Sequence, residues 1–506
     1  MLDIKTLESW LWEGACTLRG KLDAPKYKDY ILPLIFIKRL SDVFDDEIQK
    51  LSTEYGSEEM AIQLVSRDHS LVRFYIDPKY SWEEIRTHKP TGLGAFLTDT
   101  VRGIAKDNPR LEGVINVVDF NASTSGERIL PDGTLSSLIE TLSKHRLGLE
   151  DAESDILGRA YEYLLRKFAE GQGQSAGEFY TPKEVGWIMA KILNPQQGQT
   201  VYDPAVGSGG LLVKCALSIK ENNKKIEKPL KLYGQEQNPV TFAMAKMNMI
   251  IHDMDGEIAI GDTLRNPKFT SGNSLKTFDL VTANPMWNQD GYDSEFYEND
   301  KYKRFGYGYP TAQSADWGWA QHMTTSLKDE GKAAVVLDTG AVSRGSGNKN
   351  KNAERDVRKK MIEADLIEAV LLLPDNLFYN TTAPGIIIFF NKNKPEERKN
   401  KVLLINASEE YKKSKESSKD FIPDDSIDKI VKVFADFKDI EKFSKVIEIE
   451  EINKNDFNLS PSRYVHSSEA EELREIPEIL SEIEELKKEE KEIDKKLDEI
   501  ISKLQL

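Results

Sequence analysis

The residues Ala283-Asn284-Pro285-Met286-Trp287-Asn288 gather groups suited to a flat ligand that carries an amine. The amide oxygen of Asn284 can accept a hydrogen bond. The carbonyl of Pro285 is a second acceptor on a restrained backbone, because proline locks φ. The indole of Trp287 offers a face on which a planar ring can stack. Two acceptors beside an aromatic plate fit the exocyclic amino group of a nucleobase. Taken alone, the same residues also read as a turn that closes a strand, since Asn-Pro marks turns.

Three other stretches carry polar groups at the ends of apolar runs. Thr200-Val201-Tyr202 leads into Asp203-Pro204-Ala205-Val206-Gly207-Ser208-Gly209-Gly210. These glycines allow a tight turn and a close approach of a ligand to the N-terminus of the helix that follows. Asp203 stands where it could hold a ligand's amino group. The run 230–234 leads to Gln235-Glu236, and an acidic side chain there suits ribose hydroxyls. Ile258-Ala259-Ile260 leads to Gly261-Asp262-Thr263, an acceptor suited to an adenine amino group. Each stretch alone is ordinary. Together, in this order, they describe a nucleoside-like cofactor site beside a base site.

The elements that must position them follow from periodicity. Between about residues 178 and 395, seven apolar runs (200–202, 230–234, 258–260, 278–283, 333–337, 369–373 and 386–390) alternate with helical patterns. This predicts an α/β fold with a mainly parallel, seven-stranded sheet and ligands outside the carboxyl ends of its strands. The preceding part is helical by its spacing: Leu7, Trp10, Leu11, Ala15 and Leu18, then Ile31, Leu34, Ile35 and Leu40. Trp10 and Trp12 lie on different faces, one for a core and one for an interface. After 395 the chain turns polar and Lys/Glu-rich, and 409–420 reads as a mobile loop or insertion. Near the end, Ile476, Ile483, Leu497 and Leu504 share one heptad position and Ile479, Leu486, Ile493 and Ile500 another, with Glu490 the break. That stripe predicts a coiled-coil helix that needs a partner helix. The expected division is a helical N-terminal domain (1–170), a catalytic domain (171–395), a C-terminal extension of it (396–470) and a coiled-coil helix for subunit docking (471–506).

Bulk properties restrict the partners. The 506 residues predict two or three domains, and the net charge of −16 argues against a chain that alone grips nucleic acid along a long track. Local contact, or delivery by a partner, stays open. Arg and Lys are dense from Arg344 to Lys360, either over a DNA backbone or on a solvated loop and helix start. Cys16 and Cys215 give no disulfide framework, and the six histidines are scattered without metal spacing. A reducing cytoplasm is the expected compartment. Neither a signal peptide nor an 18-residue apolar run is found, so no membrane is expected.

The order of these motifs resembles that of the S-adenosylmethionine-dependent amino-methyltransferases of DNA, in the gamma arrangement usual for adenine-N6 enzymes. More narrowly, Gly177-Glu178-Phe179-Tyr180-Thr181-Pro182, the loop from Asp203 to Gly210, and Gly234-Gln235-Glu236 resemble the modification (methyltransferase) subunit of type I restriction–modification systems. The helical N-terminal part and the C-terminal heptads match as well. The resemblance implies a Rossmann-like methyltransferase domain with S-adenosylmethionine as cofactor. It implies that Tyr180, Thr181 and Pro182 cover the cofactor's methionine end and that Asp203, Gly207, Ser208, Gly209 and Gly210 line it. Glu236 would hold the ribose, Asp262 with Thr263 would face the adenine, and Asn284 borders the cofactor as well as the base. Asn284 and Pro285 would hold the target amine, and Trp287 would stack on the flipped base. A second aromatic on the base is expected from 376–382, Phe378 ahead of Tyr379, and the core is the other reading of both residues. The usual motif has proline where this chain has Met286, and often cysteine where it has Val206. The first change removes a rigid ring but keeps the acceptor pair.

The implied reaction is methyl transfer to N6 of an adenine flipped out of DNA, by positioning and electrostatics and without a metal. A separate specificity subunit would read the sequence. A second copy of this subunit, double-stranded DNA and a restriction translocase–nuclease subunit are the other implied partners. The alternatives are a catalytically weak or inactive methyltransferase-fold scaffold and an N4-cytosine DNA methyltransferase.

Overall fold

The computed structural model describes residues 2–466 apart from 3, 23–26, 117, 125, 152–180, 223–225, 253, 349–351, 379–380 and 415–418. Tyr180, the boundary near 170 and the heptad segment 471–506 lie outside the described residues.

The N-terminal part is helical: α1 (Ile4–Thr17), α2 (Tyr27–Tyr55), α3 (Glu58–Arg67), α4 (Trp82–Thr87), α5 (Leu93–Asp107) and α6 (Asp132–Leu142). Ser57 and Ser81 start α3 and α4 by accepting the N–H groups of Met60 and Glu84, which satisfies donors that have no partner inside the helix. The periodic residues of α1 and α2 form one core with α5 and α6. Trp10 lies in that core at 3% exposure, its indole donating to the carbonyl of Thr141 at 2.6 Å, whereas Trp12 is 36% exposed. Met244 and Met247 of the second region join the same core.

The second region is built on one sheet. Its strands are β1 (Thr200–Asp203), β2 (Lys231–Glu236), β3 (Gly256–Ile260), β4 (Phe278–Ala283), β5 (Leu327–Asp338), β6 (Ile367–Leu372), β7 (Gly385–Asn391), β8 (Lys401–Asn406) and β9 (Ser444–Glu448). The spatial order is β9-β8-β6-β7-β5-β4-β1-β2-β3. Strands β1 to β5 pair in parallel, as do β6 and β8, while β7 runs against both β5 and β6, and β9 against β8. The seven-stranded expectation is therefore corrected to a nine-stranded mixed sheet. The seven expected strands all form. The two additional ones come from the segment read as a C-terminal extension. Val402-Leu403-Leu404-Ile405 is a buried apolar run inside a polar neighbourhood, and β9 caps the edge it would leave open. The stretch 409–420, expected as a loop, holds a short antiparallel pairing of Lys412–Lys413 with Asp420–Phe421.

Helices cover both faces. Helices α7 (Lys183–Leu193), α8 (Gly210–Asn222) and α9 (Pro239–Ile251) lie on one, over Val201, Leu280, Val336 and Leu371. Helices α10 (Asp316–Thr325) and α11 (Ala353–Glu363) lie on the other, over Tyr202, Val281, Val335 and Leu337. Helix α12 (Asp424–Asp436) returns to the first face through Ile427 and Ile430. Burial on both sides explains the unbroken apolar runs, and each fully buried Val, Leu or Ile contributes roughly 1.5–3 kcal/mol. From β1 the chain steps outward to β2 and β3, then returns to the other side of β1 with β4 and β5. The order thus reverses between β1 and β4, where such sheets open a crevice at the carboxyl ends of the strands.

Candidate active site

Asp203 ends β1 on one side of that crevice, and Asn284 follows β4 on the other. Asp203 is 1% exposed, and its Oδ1 accepts the Ala205 N–H at 3.0 Å. Burial, with the nearby Glu236 carboxylate, pushes its pKa well above the usual carboxylate range. Among the described residues no cation pairs with it. A buried carboxyl of this kind favours an incoming ammonium group.

The loop after Asp203 is shaped by two glycines in left-handed conformations, Gly207 at φ +53° and Gly209 at φ +86°. A Cβ on Gly209 would lie 3.1 Å from Cε of Met249. Asn248 donates to the carbonyl of Ser208 at 3.0 Å and holds the loop from behind. Gly210 opens α8. The backbone of Gly207 donates to Glu236 at 3.1 Å and that of Asn238 at 2.8 Å, so this carboxylate is aimed by two N–H groups. Thr263 is buried and donates to the carbonyl of Pro204 at 2.6 Å, tying the loop after β3 to the loop after β1. Asp262 accepts the Arg265 N–H at 3.0 Å. The ends of β1, β2 and β3 thus converge.

Across the crevice, Asn284 is 6% exposed. Its Nδ2 donates to Thr181 Oγ1 at 3.0 Å, and its Oδ1 accepts the indole N–H of Trp287 at 3.2 Å. An amide oxygen has two lone pairs, so a second donor can still be taken. Thr181 and Pro182, which lead into α7, are thereby brought to the base side of the site as well. Pro285 is buried, and Met286 and Trp287 are half-buried. Of the two readings of Phe378, the structure shows the core one, with the indole of Trp287 packed against it. Phe378 is 1% exposed and meets Trp287 edge-on, centroids 4.8 Å apart at 71°. Gly385 makes this possible, because a Cβ there would lie 2.7 Å from Phe378 and 3.1 Å from Trp287.

The three arginines of the basic stretch from Arg344 are tied within the fold. Arg344 binds Asp338 at 2.8 Å and also Asp316 and Glu354. Asp316 accepts the backbone N–H of Asn288 at 3.0 Å, and the Asn288 side chain donates to Asp338. Arg344 therefore fixes the loop carrying Trp287 from below. Arg358 is fully buried and donates to the carbonyls of Phe457, Ala341 and Arg344. Arg355 pairs with Asp456 at 3.3 Å. Lys349 and Lys351 lie outside the described residues. Sequence reasoning also missed Tyr292, which is 3% exposed with its hydroxyl 3.2 Å from Asp262. No local signal marks it, because its partner is thirty residues earlier. Among the described residues no group of His, Cys, Asp or Glu is placed to hold a metal ion, and no helix is long and apolar enough to cross a membrane.

Comparison with known proteins finds two family matches. A family model described as N-6 DNA methylase matches residues 152–473, and one described as HsdM N-terminal domain matches residues 7–142. The chain is 37% identical to the type I restriction enzyme MjaVIII methylase subunit of Methanocaldococcus jannaschii, over 93% of this chain and 79% of that one. It is 34% identical to the HindI methylase subunit of Haemophilus influenzae, over 76% and 85%. Among solved structures, the type I restriction-modification system methyltransferase subunit from Streptococcus thermophilus superposes with a TM-score of 0.78 at 28% identity, covering 92% of this chain and all of that one.

Proposed function

The chain belongs to the N-6 DNA methylase family as a type I restriction–modification methylase subunit, an adenine-specific DNA methyltransferase, and from that premise we propose how its site divides the work. The observation that carries the proposal is a buried Asp203 at the end of β1, paired with no cation among the described residues, together with the hydrogen-bonded Asn284–Trp287 group at the end of the neighbouring β4.

The residues on the β1 side fit S-adenosylmethionine. Asp203 would take the ammonium of its methionine end, and Gly207, Ser208, Gly209 and Gly210 leave room for close approach. Tyr180, Thr181 and Pro182 would close over that end. Glu236 would accept a ribose hydroxyl, and Asp262 beside Thr263 would accept the adenine amine. When bound, this cofactor supplies an electrophilic methyl group on a sulfonium.

The residues on the β4 side handle the adenine to be modified. An exocyclic amine conjugated with its ring is a poor nucleophile. Hydrogen bonds to Asn284 Oδ1 and the Pro285 carbonyl favour a tetrahedral nitrogen and leave its lone pair exposed. Trp287 supplies the stacking face that offsets part of the unstacking cost, a few kcal/mol. Phe378 braces the indole from behind. Catalysis by these residues is positioning and electrostatic polarisation.

We propose further that the chain acts beside a DNA specificity subunit, a second copy of itself and double-stranded DNA, with a restriction translocase–nuclease subunit joining for cleavage. Residues 471–506 would dock on the specificity subunit through their heptad stripe, and the compartment is the cytoplasm. Methyl transfer from labelled cofactor by the co-purified complex tests the reading. Product at adenine N6 is expected, and Asn284→Ala should lower transfer at least about 100-fold while cofactor still binds. Product at cytosine N4, or bound cofactor without transfer, overturns it.

A further inference from the structure

The nine residues from Asn284 to Tyr292 begin on the base side and end on the cofactor side. At the far end, the Tyr292 hydroxyl lies 3.3 and 3.2 Å from the two carboxylate oxygens of Asp262. Gln289 Nε2 donates to that hydroxyl at 3.2 Å, and Gln289 Oε1 accepts the indole N–H of Trp319 at 3.1 Å. The carbonyl of Gln289 accepts the Ala315 N–H at 2.8 Å. Arg265 clamps the same corner. Its guanidinium lies 4.9 Å from the Tyr292 ring centroid and donates to the carbonyl of Gly291 at 2.7 Å.

The direction of this chain is fixed. An indole N–H only donates, so the Gln289 oxygen must face Trp319 and its amino group must face Tyr292. The Tyr292 hydroxyl then accepts from Gln289 and has its one proton left for Asp262. Every donor points the same way and the last one meets a carboxylate, an arrangement in which successive bonds polarise one another. Gln289 is also two residues from Trp287, whose indole holds Asn284.

We propose that Tyr292 and Gln289 are positioning residues that couple the adenine pocket of the cofactor to the base-binding loop. This rests on the reading above that Asp262 receives the cofactor's adenine amine. A carboxylate has lone pairs for more than one donor, so an amine on Asp262 joins Tyr292 there and immobilises the carboxylate; occupancy thus orders Tyr292, then Gln289, then the loop that carries Trp287 and Asn284, which the base meets already ordered. Cofactor and target base therefore bind with mutual enhancement.

The test uses the full chain co-purified with its specificity subunit. The probe is a duplex carrying the methylated site located by sequencing the source genome. Calorimetry measures S-adenosylmethionine affinity with and without the duplex, and duplex affinity with and without the cofactor. The unsubstituted complex is expected to show the same enhancement in both directions, a factor of about 5 or more. Tyr292→Phe and Gln289→Met should each bring that factor close to 1, and the double variant should lose no more than either alone, because both sit on one path. A merely structural role would shift the melting temperature, or both affinities, and leave the factor unchanged. Equal enhancement in the variants, its absence in the unsubstituted complex, or additive losses overturns the coupling. Asp262→Asn separates this from the underlying reading and should weaken cofactor binding without DNA on the order of tenfold. If it does not, the adenine assignment falls and the coupling with it. If it does while both variants retain the enhancement, the coupling alone falls.

Discussion

Asn284 Nδ2 donates to Thr181 Oγ1 at 3.0 Å, on an amide whose orientation is decided by the indole N–H of Trp287, a donor only, at its Oδ1. With the amino group committed, Oδ1 is the atom presented to Trp287 and to a target amine. A valine at 181 keeps the shape and removes the acceptor. Thr181→Val is expected to lower kcat for methyl transfer roughly 10- to 100-fold, with cofactor affinity changed far less, and Thr181→Ser should restore it. Steady-state kinetics with calorimetric cofactor affinity checks both.

Gly385 leaves room for the edge-on pair of Phe378 and Trp287. Gly385→Ala overfills that space. A loss of about 1–3 kcal/mol of stability is expected, read by urea unfolding, together with weaker DNA binding as the indole is displaced. Phe378→Leu in the same background should recover part of the stability, since it removes the ring that the new methyl would strike.

Arg344 compensates Asp316, Asp338 and Glu354 at one point, and the Asp316 side chain is fully buried. Arg344→Met leaves these carboxylates without their cation, at an expected cost of about 3–5 kcal/mol. Because Asp316 and Asp338 also hold Asn288, the KM for DNA should rise more than the dissociation constant of the cofactor. Equal effects on both would place Arg344 in general scaffolding only.

Asp203 makes the site pH-dependent. Burial, with Glu236 nearby, raises its pKa in the folded chain. The folded chain keeps this proton where the unfolded chain has lost it. Its contribution to stability is therefore fully present below the ordinary carboxylate range and declines as pH rises toward the raised value. A bound ammonium favours the carboxylate form, so cofactor affinity should rise with pH over that same window. Asp203→Asn should flatten the affinity profile and the stability profile together. Calorimetry and urea unfolding across pH measure the two.

Much of this was legible because the sheet is buried on both faces, so its strands announce themselves as apolar runs ending in polar residues. The positions of Asp203, Glu236, Asp262 and Asn284 at or just past strand ends could be read from that punctuation. Strand β8 was hidden because Val402 to Ile405 is short and sits among lysines and glutamates. The orientation of β7 was hidden because an antiparallel strand buried on both faces looks like a parallel one. Arg344 and Arg358 read as cations over a DNA backbone or on a solvated loop and helix start, since their partners are carboxylates and carbonyls that only folding brings near. Phe378 was visible as an aromatic near the site, but its place behind Trp287 depends on the missing side chain of Gly385.

Strand β7 pairs its first residue, Gly385, with the last residue of β5, Asp338. The crevice is thus bordered by strands that finish there and by one that begins there. Leu373, just past β6, donates to the carbonyl of Gly385 at 3.0 Å, so the connection between β6 and β7 closes on the sheet and sets Phe378 against Trp287. Exchanging Phe378 and its neighbours would therefore alter how Trp287 is braced without touching Asp203, Glu236, Asp262 or Asn284, which stand at or just past the ends of other strands.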